Sequence, residues 1–167
     1  MMFNKKWILI AGIIILFLLT SKKVKAFDII KVFEGERLKA YPDTGGIWTI
    51  GYGTTINPDT GQMIKEGDTI DKATAERWLK QDIEKRQYAL SKLIKVPVNA
   101  NQLAALTSLA YNIGLGAFQN STLLKLLNQN KPKMEVADQF IRWNKVNGKF
   151  NKGLNNRRYM ERELFLK

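Results

Sequence analysis

The hydrophobic positions of the chain fall into one continuous run near its start and a series of periodic stretches after it. The continuous run, residues 7–20, is apolar on every side and is preceded by two lysines. From Phe27 onward, apolar residues recur at helical or alternating spacing, which is typical of a globular domain. The pattern therefore predicts a terminal apolar segment over residues 1–26 and a folded domain over residues 27–167.

Six stretches of the domain have the spacing of amphipathic helices. They cover residues 27–34, 72 to about 94, 99 or 101 to about 113, 122–128, 134–141 and roughly 154–166. Asp71 and Ser121 stand where an N-cap is expected, and Pro97 ends the second helix. The start of the third helix stays open between Asn99 and Asn101.

Alternating residues between the first two helices predict a β-hairpin. Its strands are residues 38–41 and 47–52, and Gly and Pro residues at 42–46 form the turn. A second Pro-Asp-Thr-Gly turn follows at 58–61. The predicted fold is α+β and mostly α, with a small β-hairpin lobe and a helical lobe joined by a long helix.

The apolar run at residues 7–20 predicts export from the cytoplasm. Its 14 residues are short for a membrane-spanning helix, which needs about 20, but suit the core of a signal peptide. Val24 and Ala26 stand at the −3 and −1 positions of a cleavage site, whereas Lys22, Lys23 and Lys25 are unusual there. Three fates stay open: a cleaved signal, an uncleaved signal anchor, or an anchor that later releases into the periplasm.

Composition narrows the chemistry that the domain can perform. The chain has no cysteine and no histidine, which excludes Ser-His-Asp and Cys-His catalysis and argues against a structural zinc site. Acid–base chemistry is left mainly to carboxylates, lysine and tyrosine. The net charge of +12 favours a polyanionic partner, but no Lys/Arg block alternates with aromatics, so we expect no nucleic-acid partner.

The stretch at residues 33–53 holds the candidate chemistry. Glu34 lies at the end of a predicted helix, where the helix dipole and apolar neighbours disfavour the ionised form, and Asp43 lies on an open turn. Two carboxyl groups in unlike environments are what the cleavage of a glycosidic bond requires. The hydroxyl of Thr49 could hold a water. Spacing alone does not choose Glu34 over Glu36.

Each candidate also has a plain structural interpretation. Glu34 could be a surface glutamate, Thr49 a β-former, and Asp43 only the turn residue of its Pro-Asp-Thr-Gly sequence. Asp59 occupies an identical tetrapeptide but has no glutamate nine residues upstream. Of three tryptophans that could stack on sugars, core packing is the favoured interpretation. They are Trp48, Trp78 and Trp143.

The same stretch resembles the signature of the phage-type lysozymes, glycoside hydrolase family 24. That signature is Glu, eight residues, Asp, five residues, Thr and then Ile-Gly-x-Gly, and Glu34, Asp43 and Thr49 match it. One departure is Thr54, where many relatives have histidine. Further ordered matches cover the chain from Phe27 to its end. They lie at residues 101–106, 111–114, 118–124, 140–144 and 153–161.

The resemblance implies a lysozyme-like fold and an endolysin that lyses the bacterial host cell. Such an enzyme hydrolyses the β-1,4 bond between N-acetylmuramic acid and N-acetylglucosamine in peptidoglycan, with inversion. It implies Glu34 as general acid, and Asp43 with Thr49 as the pair that activates water. Tyr111 and Ser121 would contact the glycan. Arg157 would pair with the catalytic glutamate, with a solvated helix arginine as the alternative.

The remaining expectations concern partners and rival functions. We expect no cofactor or metal, a monomer, peptidoglycan strands as substrate, and contact with the export machinery and, through residues 7–20 if uncleaved, the membrane. The enzyme would act in the periplasm or on the periplasmic side of the inner membrane. Rivals are a lytic transglycosylase, a non-catalytic wall-binding module, and a membrane-disrupting protein. The last would use a helix bearing Arg157, Arg158 and Arg162.

Overall fold

A computed structural model describes residues 26–43 and 45–167. The predictions made for the apolar segment and its cleavage site before Ala26 lie outside the described residues, as does Thr44 in the hairpin turn. The helices and strands follow one another as α1 (Ala26–Glu34), β1 (Arg37–Pro42), β2 (Trp48–Gly51), α2 (Lys72–Leu93), α3 (Ala100–Ile113), α4 (Leu115–Gln119), α5 (Thr122–Asn128), α6 (Lys133–Asp138), a 3₁₀ helix (Gln139–Trp143), β3 (Lys145–Val146), β4 (Lys149–Phe150) and α7 (Lys152–Leu166).

The small lobe is built on the predicted hairpin. β1 and β2 pair antiparallel with Tyr41 opposite Thr49, and the register is irregular between Arg37 and Tyr41. Inward-facing side chains of this lobe form their own apolar cluster with Trp78 of α2. The cluster consists of Ala40, Ile50, Ile64 and Trp78. This separate core fixes the hairpin, and with it the turn between its strands, against the long helix.

Helix α2 joins the two lobes. Asp71 caps its first turn by accepting a hydrogen bond from the Thr74 amide at 2.7 Å, as predicted. Near its start, Trp78 packs in the small lobe, and further along Leu79 and Leu90 pack in the main core. One continuous helix therefore carries apolar contacts to both lobes.

The helical lobe surrounds α3. Residues 104–110 of this helix are all buried, and α1, α2, α4 and α7 pack against it. Asn99 caps α3 in a capping box with Gln102, so the alternative start at Asn101 is wrong. Although α1 comes first in the described chain, it packs as part of the helical lobe.

After residue 114, the helix predicted over 122–128 is confirmed, and the other elements differ in part from the prediction. The helix predicted over 134–141 is α6 followed by a 3₁₀ helix, and α7 begins at Lys152, where Asn151 caps it. The short α4 and the β3–β4 hairpin were not predicted. Asn147 and Gly148 form the hairpin turn with φ of 49° and 76°, the backbone that an Asn-Gly pair favours.

The predicted fold class is confirmed: α+β, mostly α, with two lobes joined by a long helix. Within residues 26–43 and 45–167, no helix combines the length and the apolar character that crossing a bilayer requires.

Candidate active site

Glu34 is the last residue of α1, and a buried arginine contacts it. Gly35, at φ 70°, turns the chain out of the helix directly after it. The side chain is 23% exposed, and its Oε1 accepts a hydrogen bond from Nη1 of Arg157 at 2.6 Å. Of the apolar neighbours expected from the sequence, Ile30 is buried in the main core and Leu38 is exposed. Helical spacing within α1 did not predict this contact with the guanidinium, whereas the family resemblance implied that Arg157 pairs with Glu34.

Arg157 is fixed from three directions. Its side chain is 3% exposed, so the alternative of a solvated helix arginine is wrong. Nε donates to Glu161 Oε1 at 3.1 Å, and Nη2 donates to the carbonyl of Ser108 at 3.1 Å. The guanidinium carbon lies 5.4 Å from the centre of the Phe33 ring. The donor that reaches Glu34 is therefore held by both α3 and α7.

Glu36, the other glutamate of this stretch, has a different partner. Its Oε2 accepts a hydrogen bond from the hydroxyl of Tyr52 at 2.6 Å, and the residue is exposed. Burial, reinforced by the hydrogen bond to Glu36, raises the pKa of the Tyr52 hydroxyl well above its ordinary value. The two glutamates thus differ in contacts, although spacing did not separate them.

Asp43 lies just after β1, exposed, with its carboxylate oriented by backbone amides. Oδ1 accepts from the amides of Gly45 at 2.8 Å and Ile47 at 2.9 Å. The Asp43 amide donates to the Ile47 carbonyl at 2.9 Å, which closes the turn. These bonds are those of an aspartate-stabilised turn, and they also fix the direction of the carboxylate.

Thr49 lies on β2 and is joined to Asp43 through Ile47. Its side chain is buried, and Oγ1 donates to the Ile47 carbonyl at 3.0 Å. That carbonyl also accepts from the Asp43 amide, so one peptide unit holds both residues in place. Because the Thr49 hydrogen is directed at a carbonyl, its oxygen can act only as an acceptor toward a further group.

The second Pro-Asp-Thr-Gly turn has a structural role. Asp59 receives two hydrogen bonds of 2.7 Å from the guanidinium of Arg77 and one of 2.9 Å from the Trp78 indole. The bonds from Arg77 and Trp78 lower the pKa of the Asp59 carboxyl to about 2. The same tetrapeptide therefore provides an ion-paired clamp to α2 at Asp59 and, among the residues that the structure describes, a carboxylate held by backbone amides at Asp43.

A cleft of about 340 Å³ lies where the small lobe meets α2. Thr54 and Thr55 line it from the small lobe, and Asp82 and Arg86 line it from the helix. Thr54, the departure from the family pattern, is thus at the surface of this cleft.

Tyr111 of α3 reaches the small lobe beside this cleft. Its hydroxyl donates to the Tyr52 carbonyl at 2.6 Å, and the Arg86 guanidinium stacks on its ring at 4.7 Å. Burial is the main cause that raises the pKa of the Tyr111 hydroxyl well above its ordinary value. A Cβ at Gly53 would lie 3.7 Å from that hydroxyl. Tyr111 therefore ties α3 to the small lobe next to the cleft.

Ser121 is buried and caps α5, as predicted, by accepting from the Leu124 amide at 3.1 Å. It borders two surface depressions of about 320 and 220 Å³. Trp143 is half-buried and lines the smaller depression. Trp78 is buried in the small-lobe core, Trp48 packs half-buried against it, and Trp143 packs against the main core, so core packing accounts for all three tryptophans as expected.

The sequence analysis assigned no role in the active site to Arg158 or Glu161, and it named Arg158 only in the membrane-disrupting rival. Both side chains are fully buried on α7, next to Arg157. From the sequence, a helix face that carries arginines is expected to be exposed to solvent. The packing of α7 against α3 instead buries Arg158 and Glu161. With Arg157 and Arg158 buried, α7 does not present these two charges to a membrane, which leaves the membrane-disrupting rival with only Arg162 of the three arginines that it used.

Comparisons with known proteins identify the family of the chain. The phage lysozyme family model matches residues 31–161. The endolysin of Salmonella phage P22 is 47% identical over 133 residues, which are 80% of this chain and 89% of that protein. The SAR-endolysin of Enterobacteria phage P21 is 38% identical over 133 residues, 80% of this chain and 77% of that protein.

Solved structures give the same relationship. The endolysin from Escherichia coli O157:H7 phage FAHEc1 superimposes with a TM-score of 0.78 at 42% identity, covering 89% of this chain and 94% of that one. The chain spans about half the length of the endolysins of Bacillus phages B103 and PZA, to which it is 42% identical. Taken with the carboxylates at the helix end and the hairpin turn, these matches lead to one conclusion: the chain belongs to the phage lysozyme family.

Proposed function

We propose that the protein is an endolysin that hydrolyses the β-1,4 bond between N-acetylmuramic acid and N-acetylglucosamine in peptidoglycan, with Glu34 as the general acid. The observation that carries this proposal is the half-buried Glu34 carboxyl at the end of α1, held at 2.6 Å by the buried Arg157. Glu34 protonates the glycosidic oxygen as the bond breaks. Arg157 keeps the carboxyl in one orientation while the substrate binds.

Asp43 and Thr49 direct the attacking water in this proposal. Asp43 is exposed, and two amides hold its Oδ1, so the carboxylate is oriented without an opposing cation at hydrogen-bond distance among the described residues. Thr49 can accept a hydrogen bond from the water, because its own hydrogen is directed at Ile47. Asp43 takes a proton from this water as the water attacks the anomeric carbon on the face opposite the leaving group, and the attack inverts that carbon.

Tyr111 and Ser121 contribute to the glycan-binding surface in the same proposal. Tyr111 stands beside Gly53, which lines the cleft between the small lobe and α2. Ser121 borders the depressions next to α5. Because the Tyr111 hydroxyl already donates to the Tyr52 carbonyl, we expect Tyr111 to shape the surface and not to donate to the sugar. The Ser121 oxygen accepts from the Leu124 amide, which leaves its own hydrogen able to bond the glycan.

The export of the enzyme belongs to the proposal as well. We infer that residues 1–26 carry the domain at 27–167 through the export machinery, as a cleaved signal or as a signal anchor that contacts the membrane through residues 7–20. Similarity to a SAR-endolysin supports this division. The enzyme would then act as a monomer on the wall, from the periplasm or the periplasmic side of the inner membrane.

The function is tested with the full chain and two matched variants on purified peptidoglycan. Glu34→Gln should lower kcat by at least about 100-fold, because a general acid contributes that much or more. Glu36→Gln, which removes a carboxylate two residues away, should keep most of the activity. Products are weighed by mass spectrometry.

Each outcome has a distinct meaning. Disaccharide-peptides with ordinary reducing ends, absent with Glu34→Gln, support the hydrolase. Products lighter by one water would identify a transglycosylase instead. If both variants lose activity equally, Glu34 is not specifically the general acid. If the unmodified chain releases no product, the proposed function is contradicted.

A further inference from the structure

A buried cluster of charges lies directly behind Arg157. Its centre is Glu161, whose side chain has no solvent exposure. Glu161 Oε1 accepts from the Ser108 hydroxyl at 2.6 Å, from Arg157 Nε at 3.1 Å and from Arg158 Nη2 at 2.9 Å. Arg158 Nε also lies 2.8 Å from Glu161 Oε2, an ion-pair contact too bent for a hydrogen bond. Three donors on one oxygen suit an ionised carboxylate.

Every nitrogen of the Arg157 guanidinium has a separate partner. Nε contacts Glu161, Nη2 contacts the Ser108 carbonyl, and Nη1 contacts Glu34. Because the guanidinium is planar and rigid, fixing two of its nitrogens fixes the direction of the third. The position of the donor on Glu34 is therefore set by Glu161 and Ser108, which do not touch Glu34 in this arrangement.

We propose that Glu161 is a positioning residue for catalysis: it orients Arg157 toward Glu34 and offsets one of the two positive charges that the arginines bring to the site. This inference rests on the proposed function of Glu34. Stability alone does not require a buried glutamate here, because buried ion pairs can often be replaced by apolar side chains without loss of stability. Orienting the Arg157 guanidinium toward Glu34 does require an acceptor at this position.

The charged and titratable groups around Glu161 come from three helices. Arg157 and Arg158 face it from α7, Glu34 approaches Arg157 from α1, and Tyr111 lies on α3. Arg158 is also held by the neutral Asn112 of α3 at 3.1 Å. Removing the negative charge of Glu161 would leave the two guanidinium groups with Glu34 as their one carboxylate partner among the described residues.

Glu161→Gln in the full chain tests the inference, since the amide keeps the shape and removes the charge. We expect kcat on peptidoglycan to fall by about 10- to 100-fold with KM unchanged, because a misplaced catalytic group costs that much. Uncompensated positive charge favours the ionised form of a neighbouring carboxyl group. The alkaline limb of the kcat–pH profile should therefore move to lower pH, which a merely structural residue would not cause.

A double-mutant cycle separates positioning from folding. In an Arg157→Met background, Glu161→Gln should change kcat less than about twofold, because its effect passes through Arg157. If the two effects multiply instead, Glu161 does not act through Arg157. Should Glu161→Gln fail to fold, Ser108→Ala removes one neutral donor and should lower kcat by about two- to fivefold with no shift in the alkaline limb.

Asp138→Asn is the matched control. It removes the same charge from a carboxylate that pairs with Arg162 of α7 at 2.8 Å on the surface. We expect parental kcat and an unmoved pH profile. If Glu161→Gln keeps the kcat and pH profile of the unmodified chain while Glu34→Gln is inactive, the inference about Glu161 is overturned and the proposed function is not. An unmodified chain without product would instead overturn the proposed function.

Discussion

At the scale of single residues, the two Pro-Asp-Thr-Gly turns show what sequence can and cannot assign. The sequence analysis could name Glu34, Asp43 and Thr49 because their spacing matches a family signature. It could not distinguish the environments of Asp43 and Asp59. The difference comes from α2, which places Arg77 and Trp78 against Asp59. Side chains supplied by another element decide which aspartate is a clamp.

The Asp59 clamp predicts a pH-dependent stability. The pKa of Asp59 is about 2 in the folded protein, below the 3.8 of a free carboxyl. A lowered folded-state pKa stabilises the fold above pH 3.8, and this contribution is lost as the pH falls toward 2. We therefore expect Asp59→Asn to lower Tm at pH 7, with a difference from the unmodified chain that shrinks between about pH 4 and 2.

Thermal unfolding followed by circular dichroism across this pH range measures the effect. Glu66→Gln, a change at an exposed carboxylate of the same lobe, serves as the control. A Tm difference for Asp59→Asn that stayed constant down to pH 2 would show that ionisation of Asp59 does not stabilise the fold.

At the scale of elements, long periodic stretches were predicted well and short ones were not. Helices α1, α2, α3 and α5 match their predicted ranges within one or two residues, because each has a clear apolar face or a cap. The five-residue α4 is too short to show a period. The strands of the second hairpin have two residues each, although Asn147-Gly148 was a turn signal that could have located it.

The capping box of α3 gives a prediction at this scale. Asn99→Ala removes the side chain that accepts from the Gln102 amide at 2.8 Å. We expect the free energy of unfolding to fall by about 1 kcal/mol. Asn101→Ala, two residues along and inside the helix, should be neutral or slightly stabilising because alanine has the higher helix propensity.

Urea unfolding of both variants and the unmodified chain measures these free energies. If Asn101→Ala lowers the free energy of unfolding more than Asn99→Ala does, Asn99 is not the residue that caps α3.

At the scale of the molecule, the arrangement of the lobes depends on contacts that join distant parts of the chain. The long helix and the two-lobe division could be predicted from the order of the elements. The packing of α1 into the helical lobe could not, since nothing in the spacing of 26–34 says which lobe it joins. For the same reason, the burial of Arg157 was visible only in the assembled fold.

One direct tie between the lobes is the hydrogen bond from the Tyr111 hydroxyl to the Tyr52 carbonyl. Tyr111→Phe should lower the free energy of unfolding by about 1 kcal/mol, because it leaves a carbonyl of a buried residue without this donor. Tyr88→Phe, at a residue that is 68% exposed, should leave stability unchanged. Equal values for the two variants in urea unfolding would mean that the tie does not stabilise the folded arrangement.

The contact between Glu34 and Arg157 joins residues 123 positions apart. A chain that is synthesised or exported from its first residue releases Glu34 long before the arginine that holds it. Any shortened product that stops before residue 157 lacks this guanidinium, whatever local structure its early part can form. The proposed active site is thus complete only when the chain is almost finished, and a cell that makes incomplete copies does not accumulate fully assembled copies of this site.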